Sequence, residues 1–167
     1  MARWGLICFF VIAMLCLSAC PRPRSFYAGL GTSGLLGAIE KEAKGDYKWA
    51  EYYYRRAADD ILIGENIDEK LVLGVCYLKA GEMAEKDERF NAALDSYSVA
   101  WERGYEWGDA RFIAQLRKGK LLHRMGRIAD ALNTLTTLVE YLDSQPEGLG
   151  PEWLRADARQ LIDELTE

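Results

Sequence analysis

The chain is poor in the residues that carry most enzyme chemistry. It has one histidine, His123, with no second histidine or free cysteine close to it in sequence. A zinc site or a cysteine nucleophile therefore lacks a complete set of parts. No motif pairs a nucleophile with a base or places two carboxylates for acid–base work, and acidic runs such as Glu85, Asp87 and Glu88 are interleaved with Lys86 and Arg89 as on a solvated helix face. Catalysis, a metal and a cofactor are not expected. Of the four cysteines, Cys8, Cys16 and Cys20 fall in the first twenty residues, which leaves Cys76 without an intramolecular partner. A disulfide framework is not expected, and Cys76, between Val75 and Tyr77, reads as a small buried hydrophobe. Positive charge is also short: 21 Lys and Arg stand against 26 Asp and Glu, for a net charge of -5. Nothing here attracts nucleic acid broadly. Strand-like runs are absent too.

What is present begins at the amino terminus. After Arg3 comes an apolar stretch from Trp4 to Leu17. It is shorter than the roughly 20 residues a membrane-spanning helix needs, so it reads as a targeting segment. It closes on Leu17, Ser18, Ala19 and Cys20, a pattern that resembles the bacterial lipoprotein lipobox. The resemblance implies that residues 1–19 are a signal peptide and that Cys20 becomes the lipidated first residue. The chain would then be anchored in a bacterial envelope, facing the periplasm. Pro21 stands where an Asp often signals inner-membrane retention, which favours the outer membrane. Residues 20–33, rich in Pro, Arg and Gly, read as the lipidated terminus and a tether. Gly29, Gly31 and Gly34 spell a dinucleotide-binding fingerprint, but no strand precedes them and they read as linker.

Beyond the tether, apolar residues recur at three- and four-residue spacing over 35–44, 46–63, 67–80, 83–103, 109–125, 127–143 and 151–165. This predicts an all-α chain of one domain. Gly45, Gly81 and Gly126 divide the helices into pairs. Gly45 is followed by Ala50, Tyr54 and Ala57, and Gly126 by Ala131, Leu135 and Leu138 at the same distances. The second pair supplies Ala93, Tyr97 and Ala100, with an apparent seven-residue excess after Gly81. With Leu73, Gly74 and Tyr77 in the second pair and Gly119 and Leu122 in the third, these positions resemble the tetratricopeptide repeat. The resemblance covers 34–143 and implies an α-solenoid of about three helix pairs. Residues 144–167 supply a loop and a capping helix, with Leu154, Ala158, Leu161, Ile162 and Leu165 on one face. Gly74 and Ala93 are expected to be close-approach positions.

In that family the first helix of each pair lines a concave groove. The resemblance therefore nominates Val75, Leu78, Lys79, Lys120, His123 and Arg124 as a mixed apolar and basic partner-binding surface suited to an acidic or carboxylate-bearing peptide segment. The asparagine and lysine clamp of the chaperone-binding members is not matched, since Leu35, Ile39, Val75 and Leu116 stand there and only Lys120 fits. Two aromatic groups, Trp49 with Tyr52, Tyr53 and Tyr54, and Trp101 with Tyr105 and Trp107, are either core or ligand platform. The function expected is a lipid-anchored protein–protein interaction scaffold, such as an assembly factor or pilotin-like subunit of an envelope machine. The alternative is an accessory regulator that binds and positions a cell-wall or envelope enzyme.

Overall fold

A computed structural model describes residues 33–61, 67–105, 108–145 and 150–167. Cys20, the signal segment and the tether up to Thr32 lie outside the described residues, as does Trp107. The described chain is all-helical: α1 Ser33–Ala43, α2 Tyr47–Ile61, α3 Ile67–Lys86, α4 Phe90–Arg103, α5 Asp109–Arg124, α6 Ile128–Ser144 and α7 Glu152–Thr166. Helices at the edge of the stack bury one stripe set by helical periodicity, whereas α3, packed by α2, α4 and α5, buries consecutive residues such as Cys76, Tyr77 and Leu78. In α6 the buried residues are Ala131, Thr134, Leu135, Leu138 and Leu142, and in α7 they are Leu154, Ala158 and Leu161. Every helix packs on the next, and α3 with α5 and α5 with α7 also touch. None of the described helices is long and apolar enough to cross a membrane.

Three tight turns join α1 to α2, α3 to α4 and α5 to α6, and their backbones are the same. At the first, the Gly45 N–H donates to Glu42 O and the Asp46 N–H to Lys41 O, both at 3.0 Å. At the second, Glu88 donates to Glu85 O and Arg89 to Ala84 O, at 3.1 and 2.9 Å. At the third, Gly126 donates to His123 O and Arg127 to Leu122 O, at 2.8 and 2.9 Å. This bond pair closes a helix when one residue takes the left-handed conformation. That residue is Gly45 at φ 73°, Glu88 at φ 56° and Gly126 at φ 74°.

The second turn therefore corrects the sequence-based division at Gly81. Gly81 lies inside α3, which continues to Lys86, and the turn residue is Glu88. Counted from Glu88, residues Ala93, Tyr97 and Ala100 fall at the same distances as Ala50, Tyr54 and Ala57 from Gly45. The apparent seven-residue excess disappears.

Gly81 has a different task. A Cβ on it would lie 2.4 Å from the Tyr97 ring, and one on Gly119 would lie 2.6 Å from Leu135. Each glycine stands seven residues before its turn residue, where the first pair has Ala38, itself fully buried. Small residues here let the two helices of a pair touch. Gly74 is also a close approach, but to Gly104 beyond the end of α4, whose Cα would lie 3.3 Å from an added Cβ. Ala50, Ala93 and Ala131 are all fully buried.

The core falls into two clusters. The larger runs from Leu35 to Ala131 and is built largely of alanines with Tyr54, Tyr77, Tyr97, Met83 and Cys76. Burial pushes the Cys76 thiol up to about 12. The smaller is leucine-rich, with Phe112, Leu116, Leu135, Leu138, Leu142, Leu154, Ala158 and Leu161, and it seats α7. Arg155 and Arg159 of α7 fix its register by pairing with the two oxygens of Asp143 on α6, at 3.1 and 2.7 Å.

Candidate functional site

The six nominated binding residues all lie on α3 and α5. Val75 is half-buried and Leu78 is 8% exposed, part of the core. Leu78 corresponds to Leu35 and Leu116 of the neighbouring pairs, which are also buried. Leu78 is therefore turned inward rather than towards the nominated groove. Lys120, His123 and Arg124 are exposed, and Lys79 is half-buried.

All three nominated lysine and arginine cations have carboxylate partners. Lys79 pairs with Glu82 at 2.9 Å, and the same carboxylate reaches Arg117 of α5 at 3.1 Å. Arg124 pairs with Glu85 of α3, and Lys120 with Asp157 of α7 at 3.0 Å. Lys86 of α3 pairs with Glu42 of α1 at 3.5 Å. The faces of α1, α3, α5 and α7 are thus stitched across helix boundaries by ion pairs. The basic character that the residue types suggest is largely neutralised by these partners.

Two of those pairs belong to a linkage that repeats. The Tyr54 hydroxyl donates to Glu42 Oε2 at 2.7 Å, and Lys86, besides pairing with Glu42, sits 5.3 Å above the ring of Tyr47, the first residue of α2. One pair later, the Tyr97 hydroxyl donates to Glu85 Oε2 at 2.8 Å. Arg124 pairs with Glu85 and lies 5.6 Å from the ring centre of Phe90, the first residue of α4. In each case a cation ending one first helix is held by the glutamate and aromatic of the preceding pair. At the third turn the same positions hold His123, Leu135 and Ile128, and this linkage cannot form. Burial, then the adjoining glutamate, raises both Tyr54 and Tyr97 well above the usual phenol range.

Two other surfaces stand apart from this face. A cleft of about 390 Å³ opens between α4 and α6, lined by Asn91, Asp95, Asn133 and Thr134, with Lys118 and Leu122 of α5. Sequence reasoning missed it because its residues are unremarkable singly and meet only through packing. The aromatic groups divide. Tyr54 is core, whereas Trp49 and Tyr52 are 51% and 48% exposed and Tyr53 is half-buried over Gly37. Trp101 stacks edge-on to Phe112 and Tyr141 and carries Arg111 over its face at 4.3 Å, so it belongs to the carboxy-terminal packing. Among the described residues no three His, Cys, Asp or Glu side chains converge as metal ligands would. The chain matches no protein-family model, no curated protein and no solved structure.

Proposed function

We propose that this chain is a lipid-anchored interaction scaffold of a bacterial envelope, a short stack of tetratricopeptide-like helix pairs capped by α7, which holds a segment of another envelope protein. One observation carries the reading: the three turns at Gly45, Glu88 and Gly126 share one hydrogen-bond pattern, and the buried small residues Ala50, Ala93 and Ala131 follow at one distance. A chain built by repeating one unit extends a continuous surface, and such surfaces serve recognition. The anchor is Cys20, and the membrane proposed is the outer one.

The binding face proposed is that of α3 and α5, with Val75, Lys79, Lys120, His123 and Arg124 at its centre. A partner carboxylate arriving there displaces the Asp157 carboxylate from Lys120. Exposed pairs of this kind contribute only about 0 to 1 kcal/mol, so the exchange costs little. Leu78 supports this face from within.

The experiment has two arms. Cys20→Ser should abolish incorporation of an alkyne fatty acid, and persistent labelling would refute the anchor. Photocrosslinking from position 123 in cells should trap one envelope protein in the wild type. Lys120→Glu with Arg124→Glu should remove that adduct while circular dichroism stays helical; an undiminished adduct would refute the face.

A further inference from the structure

In the aromatic stripe of α2, Tyr53 packs over Gly37 while Trp49 and Tyr52 project away from the core. Trp49, Tyr52, Tyr53 and Arg56 stand at the one-face spacing of a helix, and Trp49 and Tyr52 are about half-exposed. The three rings pack on one another, with centroids 5.5 Å apart for Trp49 and Tyr52, 6.1 Å for Trp49 and Tyr53 and 5.5 Å for Tyr52 and Tyr53. Arg56 Nη1 donates to the Tyr52 hydroxyl at 3.4 Å, and Lys48 is exposed at the other end of the stripe. Two carboxylates of α2 are engaged away from the stripe. Glu51 is 6% exposed and pairs with Arg55 and Arg89, and Asp59 accepts from the Tyr77 hydroxyl at 3.3 Å. The result is an exposed aromatic strip flanked by Lys48.

We infer that this strip is a lipid-contacting surface, the face on which the amino-terminal helix pair rests against the membrane that holds the anchor. The inference rests on the proposed lipidation of Cys20. Tryptophan and tyrosine prefer the headgroup level, where an apolar ring and a polar edge are both accommodated, and lysine and arginine there meet phosphates. Chain length supplies the second reason. About 13 residues separate Cys20 from α1, a reach of at most roughly 45 Å even when fully extended. α1 and α2 are therefore the described helices with the shortest chain path to the anchor. A tether of that length imposes an effective concentration in the millimolar range, so a strip of weak intrinsic affinity suffices. A bound partner protein would need no such proximity to the anchor, and a lipid surface fits the residue mix without further parts.

The test uses the full lipidated protein, purified from membranes and reconstituted into vesicles of phosphatidylcholine and phosphatidylglycerol, with and without bromine on the acyl chains. Bromolipid should quench part of the tryptophan emission. Trp49→Phe should remove most of the bromolipid-dependent loss, and Trp153→Phe, a change at the equally exposed tryptophan of α7, should leave it intact. Flotation of the vesicles separates the possible failures. If the wild type floats and Trp49→Phe retains the full quenching, the anchor stands and the lipid-facing strip is refuted. Floating protein in which Trp49 is shielded from aqueous iodide only when a partner is added would also refute it, in favour of a protein contact. Wild type that fails to float refutes both readings together.

Discussion

The first two turns and the third share a backbone and differ in what covers it. At Gly45 and Glu88 the second helix carries a tyrosine whose hydroxyl reaches back to a glutamate at the end of the first helix, Tyr54 to Glu42 and Tyr97 to Glu85. At Gly126 the tyrosine is Leu135 and the glutamate is His123, and the turn closes with the same main-chain bonds. The turn geometry is thus set by the backbone and the left-handed residue. The side-chain linkage joins one pair to the next. Where it ends, the leucine-rich cluster takes over, and α7 is held by apolar burial and by Asp143 instead. The amino-terminal two pairs are a polar-stapled stack and the carboxy-terminal part is an oil-filled one.

The largest expected effect comes from the close-approach glycines. Gly81→Leu should destabilise by about 3 kcal/mol, because the added side chain meets the Tyr97 ring, which is fully buried and tied to Glu85. Gly119→Leu meets Leu135, which has rotamers to move into and no hydrogen bond to lose, and should cost less. Thermal or denaturant melts decide it; equal losses would erase the distinction between the two parts.

Next come the tyrosines. Tyr54→Phe and Tyr97→Phe should each cost about 1.5 to 3 kcal/mol, the range for a hydrogen bond to a charged group. Both phenols are raised above their ordinary value of 10.0. In the unfolded chain they ionise near that value, so the folded state holds more protons above about pH 10 and stability falls as pH rises further. The stability they contribute is complete below pH 10. Melting temperature measured from pH 8 to 11.5 should drop above 10 in the wild type, and less steeply in the double Phe variant. A smaller effect, about 1 kcal/mol of coupling, is expected when the missing linkage is written into the third turn as His123→Glu with Leu135→Tyr. A double-mutant cycle reads it. The smallest effects belong to Lys86→Ala and Arg124→Ala, at most about 1 kcal/mol each, since both cations are substantially exposed. Those losses should shrink in high salt.

Much of this was legible from residue spacing. Apolar periodicity gave the helices, and the glycines at 45 and 126 gave two of the three turns. The second turn was hidden because glycine marks two different needs. Gly45 and Gly126 supply a left-handed residue, whereas Gly81 supplies room for Tyr97, and the left-handed residue of that turn is a glutamate. Placing the turn at Gly81 also obscured the register that makes Leu78 equivalent to Leu35 and Leu116 and so buries it. The cations of α3 and α5 could be named but not their partners. A pair such as Lys120 with Asp157 depends on how α5 and α7 are stacked, and no local spacing encodes that. The exposed aromatic strip was visible as a cluster, and only the packing showed that Tyr54 faces inward while Trp49 and Tyr52 face outward.

The equivalence of the three turns is the claim on which the repeat, the register and the proposed binding face all depend, and comparing Glu88→Gly with Gly126→Glu tests it most directly. A left-handed L-residue costs roughly 1 to 2 kcal/mol, while glycine takes that conformation freely at some entropic cost to folding. The two substitutions should therefore change unfolding free energy in opposite directions, with Glu88→Gly stabilising by about 0.5 to 1 kcal/mol and Gly126→Glu destabilising by about 1 kcal/mol or more. If Glu88→Gly lowers stability as a glycine placed in an ordinary helix would, residue 88 is not the turn residue and the account of three equivalent pairs is wrong.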